Sequence, residues 1–162
     1  MPTPTYDLLA STTLATAASS VTFSSIDQSY GDLILVVNSV SSFGSFIKVR
    51  FNGSSSGYSY VRAQVSGSSA ISSAGTYDAV IAGFTSNVSD AVNIAQIMDY
   101  AATDKHKSVL VRANATSLST GMYANRWAST AAITSLAITD SNADSFVSGS
   151  TFNLYGIAKT VV

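Results

Sequence analysis

The sequence predicts an all-β fold, a single antiparallel β-sandwich, and three observations predict it. The chain of 162 residues contains no Glu and only eight Lys and Arg together, but 30 Ser and 16 Thr. The missing residues are strong helix formers, and Thr, Val and Tyr favour strands. Short runs of alternating apolar and polar residues recur at a spacing of roughly 8–12 residues, bounded by Gly, Ser, Asn and Asp. No window sustains a 3.6-residue apolar period over three turns.

Both prolines, Pro2 and Pro4, fall at the start. Residues 1–5 therefore read as an extended arm and 6–162 as the sandwich, since proline discourages strand pairing. VTF at 21–23 puts Val21 and Phe23 on one face, and DLILVVNSV at 32–40 is apolar on both faces at its start. SFIKVRFN at 45–52 is the clearest strand, with Ile47, Val49 and Phe51 opposite Lys48, Arg50 and Asn52. YSYVRAQV at 58–65 sets Tyr58, Tyr60 and Arg62 against Val61. The Ser/Gly-rich stretch SGSSAISSAG, 66–75, reads as a mobile loop.

VNIAQIMDY at 92–100 puts Val92, Ile94, Met98 and Tyr100 on one face, with AQIMDYAA as a weaker helical alternative. SVLVRANA follows across the polar hairpin loop TDKHK, and MYANRW, AITSLAIT and STFNLYGIA complete a set of about ten strands. The last of these is strongly apolar. Phe152 and Leu154 share one face, and Tyr155 and Ile157 the other, so it is expected to pair within a sheet and complete the core.

Composition limits the function. The absence of Cys excludes disulfides, thiolate catalysis and Cys-ligated zinc. Only 10% of residues are charged, the net charge is −1, and no Lys or Arg precedes Lys48, so there is no basic stripe for nucleic acid. The longest strongly apolar run, Leu33 to Val37, is too short to span a bilayer, and the N-terminus lacks the basic segment of a signal peptide. A surface this poor in charge costs little to desolvate, which suits a subunit packed among copies.

Several stretches could carry chemistry. GSSSG at 53–57 matches Gly-x-Ser-x-Gly around Ser55, with Asp78, Asp90 or Asp99 and then His106 following in hydrolase order. That elbow needs a strand-to-helix turn, and a strand follows here, so a hairpin turn is the expectation. His106, the lone histidine, stands between two lysines and reads as an exposed loop residue. DSNAD at 140–144 spaces Asp140, Asn142 and Asp144 like the start of a calcium loop. Ser145 and Thr151 replace the Gly and Glu that such a loop requires, and an Asx-rich turn is expected. No cofactor or metal is expected. Asn52, Asn87 and Asn114 begin glycosylation sequons. Trp127, with Tyr58, Tyr60 or Tyr123, could stack on a sugar. A core or subunit-interface place for Trp127 and Tyr123 is the commoner arrangement.

The segments YDLLASTTL, SSVTFSSI, DLILVVNS, VRFNGSSSGYSY, NRWASTAAITSLAIT and SGSTFNLYGIAK follow one another in order along nearly the whole chain. This succession resembles a family of small structural proteins of tailed bacteriophages, which open on Tyr-x-Leu-Ile/Leu-Ala and close on Gly-Ser-Thr-Phe-x-Leu-Tyr-Gly-Ile. The resemblance implies a jelly-roll-like sandwich and a non-enzymatic virion component. That component would be a homotrimeric capsid decoration protein on the outer shell, contacting the major capsid protein and made in the host cytoplasm. It carries over no catalytic residue. Pro2 and Pro4, in the arm, and Tyr123 and Trp127 are the candidate interface residues. A tail or fibre module binding host glycan is the alternative.

Overall fold

The computed structural model describes residues 5–87, 90–115 and 119–159. Pro2 and Pro4 lie outside them. Twelve strands form two antiparallel sheets: β1 (Tyr6–Thr13), β2 (Ser20–Phe23), β3 (Asp32–Ser39), β4 (Phe46–Phe51), β5 (Tyr58–Ser66) and β6 (Ser69–Tyr77), then β7 (Val80–Phe84), β8 (Ala91–Met98), β9 (Lys107–Ala115), β10 (Ser119–Trp127), β11 (Leu136–Asp140) and β12 (Thr151–Ile157). The large sheet has the order β1-β12-β3-β8-β9-β10-β5-β6, and the small one β2-β11-β4-β7. Only the β5–β6, β8–β9 and β9–β10 connections stay within a sheet; every other one crosses between the two. The predicted all-β sandwich is the observed fold.

Alternation decides which side chains enter the core. Ile47, Val49 and Phe51 of β4 are buried as the pattern requires, as are Val21 and Phe23 of β2. The closing strand lies between β1 and β3, pairing Leu154 with Leu35 and Tyr155 with Leu8. Phe152 and Leu154 point into the core, and the Phe152 ring meets Phe146 edge-on with centroids 5.0 Å apart. Gly156 leaves room for Tyr30, since a Cβ there would come within 2.5 Å of its ring.

Two expectations need correction, for the loop at 66–75 and for Tyr100. Residues 69–77 form strand β6, not a mobile loop, and pair with β5 along its length, from Tyr58↔Tyr77 to Ser66↔Ser69. Small residues weaken the hydropathy signal, but they do not prevent a ladder of backbone hydrogen bonds. Strand β7 gives no alternation because all five of its residues are buried. In β8, Val92, Ile94 and Met98 share one face, as expected, and that face is the outer one. Ala91, Asn93, Ala95 and Ile97 face inward. Tyr100 lies in the turn beyond, buried, with its hydroxyl donating to the Asp27 carbonyl.

The inward face of Ala91, Asn93, Ala95 and Ile97 has a physical cause. Strand β7 forms one edge of the small sheet, and its outer row of backbone groups is buried against the large sheet. Two asparagine side chains from the large sheet satisfy that row. Asn93 Oδ1 accepts from Phe84 N at 2.9 Å, and Asn93 Nδ2 donates to Phe84 O at 2.8 Å. Asn125 Oδ1 accepts from Ile81 N at 3.0 Å, and its Nδ2 donates to Ile81 O at 3.3 Å. Each amide thus does for β7 what a neighbouring strand would do. Gly83, at φ +131°, allows the approach; a Cβ there would lie 2.0 Å from Asn93 Oδ1.

Replacing Asn93 or Asn125 with Ala leaves a buried N–H and C=O unpaired, and each variant should lose about 2–4 kcal/mol. For a chain of this size Tm should fall by about 5–15 °C. Thermal melts followed by circular dichroism check this, and an unchanged Tm would refute the role given to the amides. Truncation before Ser150 removes β12 from between β1 and β3 and should abolish cooperative unfolding altogether.

Candidate interaction surface

The sequence-predicted sites are dispersed. GSSSG connects β4 of the small sheet to β5 of the large one, so it is a crossing loop and not the expected hairpin turn. It is fixed by Tyr58, whose hydroxyl accepts from Phe51 N at 2.9 Å and donates to Ser54 O at 3.4 Å. No helix follows Ser55, so the strained elbow that would activate a serine is not formed. His106 is exposed in the β8–β9 loop, as expected.

Asp140 ends β11 and is buried. Its Oδ1 accepts from Asn142 N at 2.8 Å, the Asx turn that the sequence predicts. Its Oδ2 accepts from the Ser45 hydroxyl at 2.5 Å and the Thr85 hydroxyl at 3.0 Å. Asp140 thereby ties the β11 end to the loops bounding β4 and β7. Among the described residues, no three His, Asp or Glu side chains gather as metal ligands would. Asn52, first residue of a sequon, already uses its amide: Oδ1 accepts from Thr134 N at 2.9 Å, and Nδ2 donates to Ala132 O at 2.8 Å.

Trp127 and Tyr123, for which a core or subunit-interface place is expected, lie in the core at 5% and 0% exposure. Trp127 stacks on Tyr58 at 6.0 Å and 15°, and Phe51 meets it edge-on at 5.6 Å. Tyr123 donates to Gln64 Oε1 at 3.0 Å, and burial raises the pKa of its hydroxyl above the ordinary tyrosine value.

Internal partners engage several charged groups. Lys107 is fully buried, and its ammonium donates to the carbonyls of Ala102 at 2.6 Å, Lys105 at 3.0 Å and Thr130 at 3.4 Å. This joins the β8–β9 loop to the segment after β10. Burial pulls the Lys107 pKa below the ordinary lysine value. Asp78 pairs with Lys48 at 3.1 Å and with Arg50.

What remains exposed is the outer face of the large sheet. Among the described residues, seven of the eight exposed large apolar side chains stand on it: Tyr6, Leu8, Val61, Val65, Val92, Leu110 and Met122. Phe43, in the β3–β4 loop, is the exception. Strand register aligns them into rows. Leu8 stands beside Tyr155, and Tyr155 beside Ile34. The same row continues through Gln96 and Leu110 to Ala124 and Val61. In the next row Val36, Ile94, Arg112 and Met122 are neighbours. An antiparallel sheet facing water ordinarily turns polar residues outward. Here the sequence signal is the apolar set Val92, Ile94 and Met98, which the alternation of 92–100 places on one face.

No protein-family model matches the chain, and no curated protein matches it.

The Asp78 pairing gives the protein an acid-sensitive contact. Partial burial alone would raise the Asp78 pKa, but hydrogen bonds from Arg50 and Lys48 outweigh it and hold the carboxyl below its ordinary 3.8. The unfolded chain therefore takes up this proton first as pH falls. The pair's stabilisation is complete above that value and is lost as pH drops through the folded pKa. Because the pair is a third exposed, Asp78→Asn should cost about 1 kcal/mol or less at pH 7. The variant should flatten the decline of Tm below pH 4. A parallel decline in both proteins would assign acid sensitivity elsewhere.

Proposed function

We propose that the protein is a structural component of a bacteriophage virion, a capsid decoration protein that binds the outer shell and stabilises it. The ordered resemblance of its segments to small phage structural proteins supports that reading. The observation that carries the role is the outer face of the large sheet, an apolar surface with few charges on a stable sandwich. Covering such a face releases water from apolar area and desolvates few ions, so it stabilises contact with other proteins. In this reading the chain acts as a homotrimer contacting the major capsid protein. Three linked shell contacts hold far more firmly than one, because each contact raises the effective concentration of the next.

The alternative glycan-binding appendage loses its main support, since Trp127 and Tyr58 stack on each other in the core.

Quantitative mass spectrometry of purified virions tests the proposal. A decoration protein should be present in a copy number comparable to that of the shell subunit, and its removal should lower the temperature at which the shell ruptures. A copy number matching tail proteins would move the chain to an appendage, and absence from the particle would end the virion reading.

A further inference from the structure

We infer that the outer face of the eight-stranded sheet is where copies of this chain bind one another, half of the face on one copy against the opposite half on the next. The inference takes from the functional proposal only self-association, and it supplies the surface.

The face is large enough. Eight strands at about 4.8 Å spacing and seven residues at about 3.4 Å rise span about 900 Å². A standard interface takes about 800 Å² from each partner, which a two-fold pair reaches by using both halves of the face; in a ring of three each contact takes about 450 Å² and each copy makes two of them. Its composition also fits. Val61, Leu8 and Met122 are 60%, 57% and 55% exposed, and they belong to adjoining register rows that run from one edge of the sheet to the other.

Charge selects a second copy as the occupant. Among the outward-facing side chains of these rows, three are charged, and they are segregated. Asp32 on β3 lies in the half built from β1, β12, β3 and β8. Arg112 and Arg126 lie on β9 and β10 in the other half, exposed and without an ion pair among the described residues. Asp32 and Arg126 share one row. Asp32 immediately precedes Leu33, the partner of Ile97, while the next residue, Met98, leads through Ser108 to Arg126.

Asp32 and Arg126 are also placed alike. Strand β3 is third from one edge and β10 third from the other. Laying the acidic half of one copy on the basic half of another therefore brings carboxylate and guanidinium together. Each copy has one half of each kind, so the contacts close in a two-fold pair or in a ring of three. Asp32 already accepts from Gln96 Nε2 at 3.1 Å and Asp99 N at 2.9 Å, which fixes the carboxylate and leaves lone pairs for an incoming donor.

The test is the solution mass of the purified full chain, by light scattering and sedimentation, with no shell present. Wild-type protein should be a dimer or trimer at micromolar concentration. Met122→Asp and Val61→Asp alter exposed side chains and should leave the monomer's far-ultraviolet spectrum unchanged. Each should raise the half-dissociation concentration about 30-fold or more, the loss expected on truncating or charging a buried interface anchor. Arg126→Asp should split the oligomer, and adding Asp32→Arg should restore it. A wild-type monomer at every accessible concentration overturns the inference, as does an oligomer indifferent to both apolar substitutions. A monomer would leave shell decoration standing. Absence from virions with self-association intact would sink the functional proposal alone.

Discussion

The fold depends on the satisfaction of one buried strand edge. A sandwich of eight strands against four cannot end both sheets in water, and the edge of β7 is enclosed. Unpaired N–H and C=O groups there would each cost about 1–3 kcal/mol. The Asn93 and Asn125 amides are the right shape to pair with them because each presents one acceptor and one donor side by side. Their position then fixes the register of two strands. A side chain facing inward at Asn93 forces Val92 and Ile94 outward, and one facing inward at Asn125 forces Ala124 and Arg126 outward. The apolar outer face follows from the polar clamp inside.

This coupling explains what sequence could and could not disclose. Where one face is apolar and the other polar, as in Ile47-Lys48-Val49-Arg50-Phe51, alternation gave the phase directly. In β8 both faces hold apolar residues, and hydropathy favours burying Val and Ile over Ala and Asn. The true phase is set by a hydrogen bond to another sheet, which no local pattern encodes. The only available signal was an asparagine in the middle of each of two apolar strands, VNIAQI and YANRW. Strand β6 was hidden for a different reason. Its Ser, Ala and Gly carry little hydrophobic contrast, and its pairing with β5 resides in the backbone. The aromatic residues were legible as important but not as to place, because a large ring suits a core and an interface equally well.

The chain also uses its few charges economically. Lys107 serves three carbonyls, Asp140 two hydroxyls and an amide, and Asp78 two cations. Each of the three groups makes at least one contact to a segment distant in sequence, so charge works mainly as a fastener between loops and strands. The outer face of the large sheet is left with three charged groups, and these are separated by sign. A surface arranged in this way has little like-charge repulsion to keep copies apart and little hydration to lose when covered.

The closing strand connects this surface to folding. Tyr155 and Ile157 lie in the outer rows, while Phe152 and Leu154 of the same strand fill the core. Until β12 inserts between β1 and β3, the acidic half of the outer face is interrupted and Leu8 has no strand partner. The residues that complete the core therefore also complete the proposed association face. A chain still emerging from synthesis has the basic half but not its counterpart, so copies acquire their full complementary surface only after each has finished folding. One strand orders the two events: β12 closes the core first, and association follows.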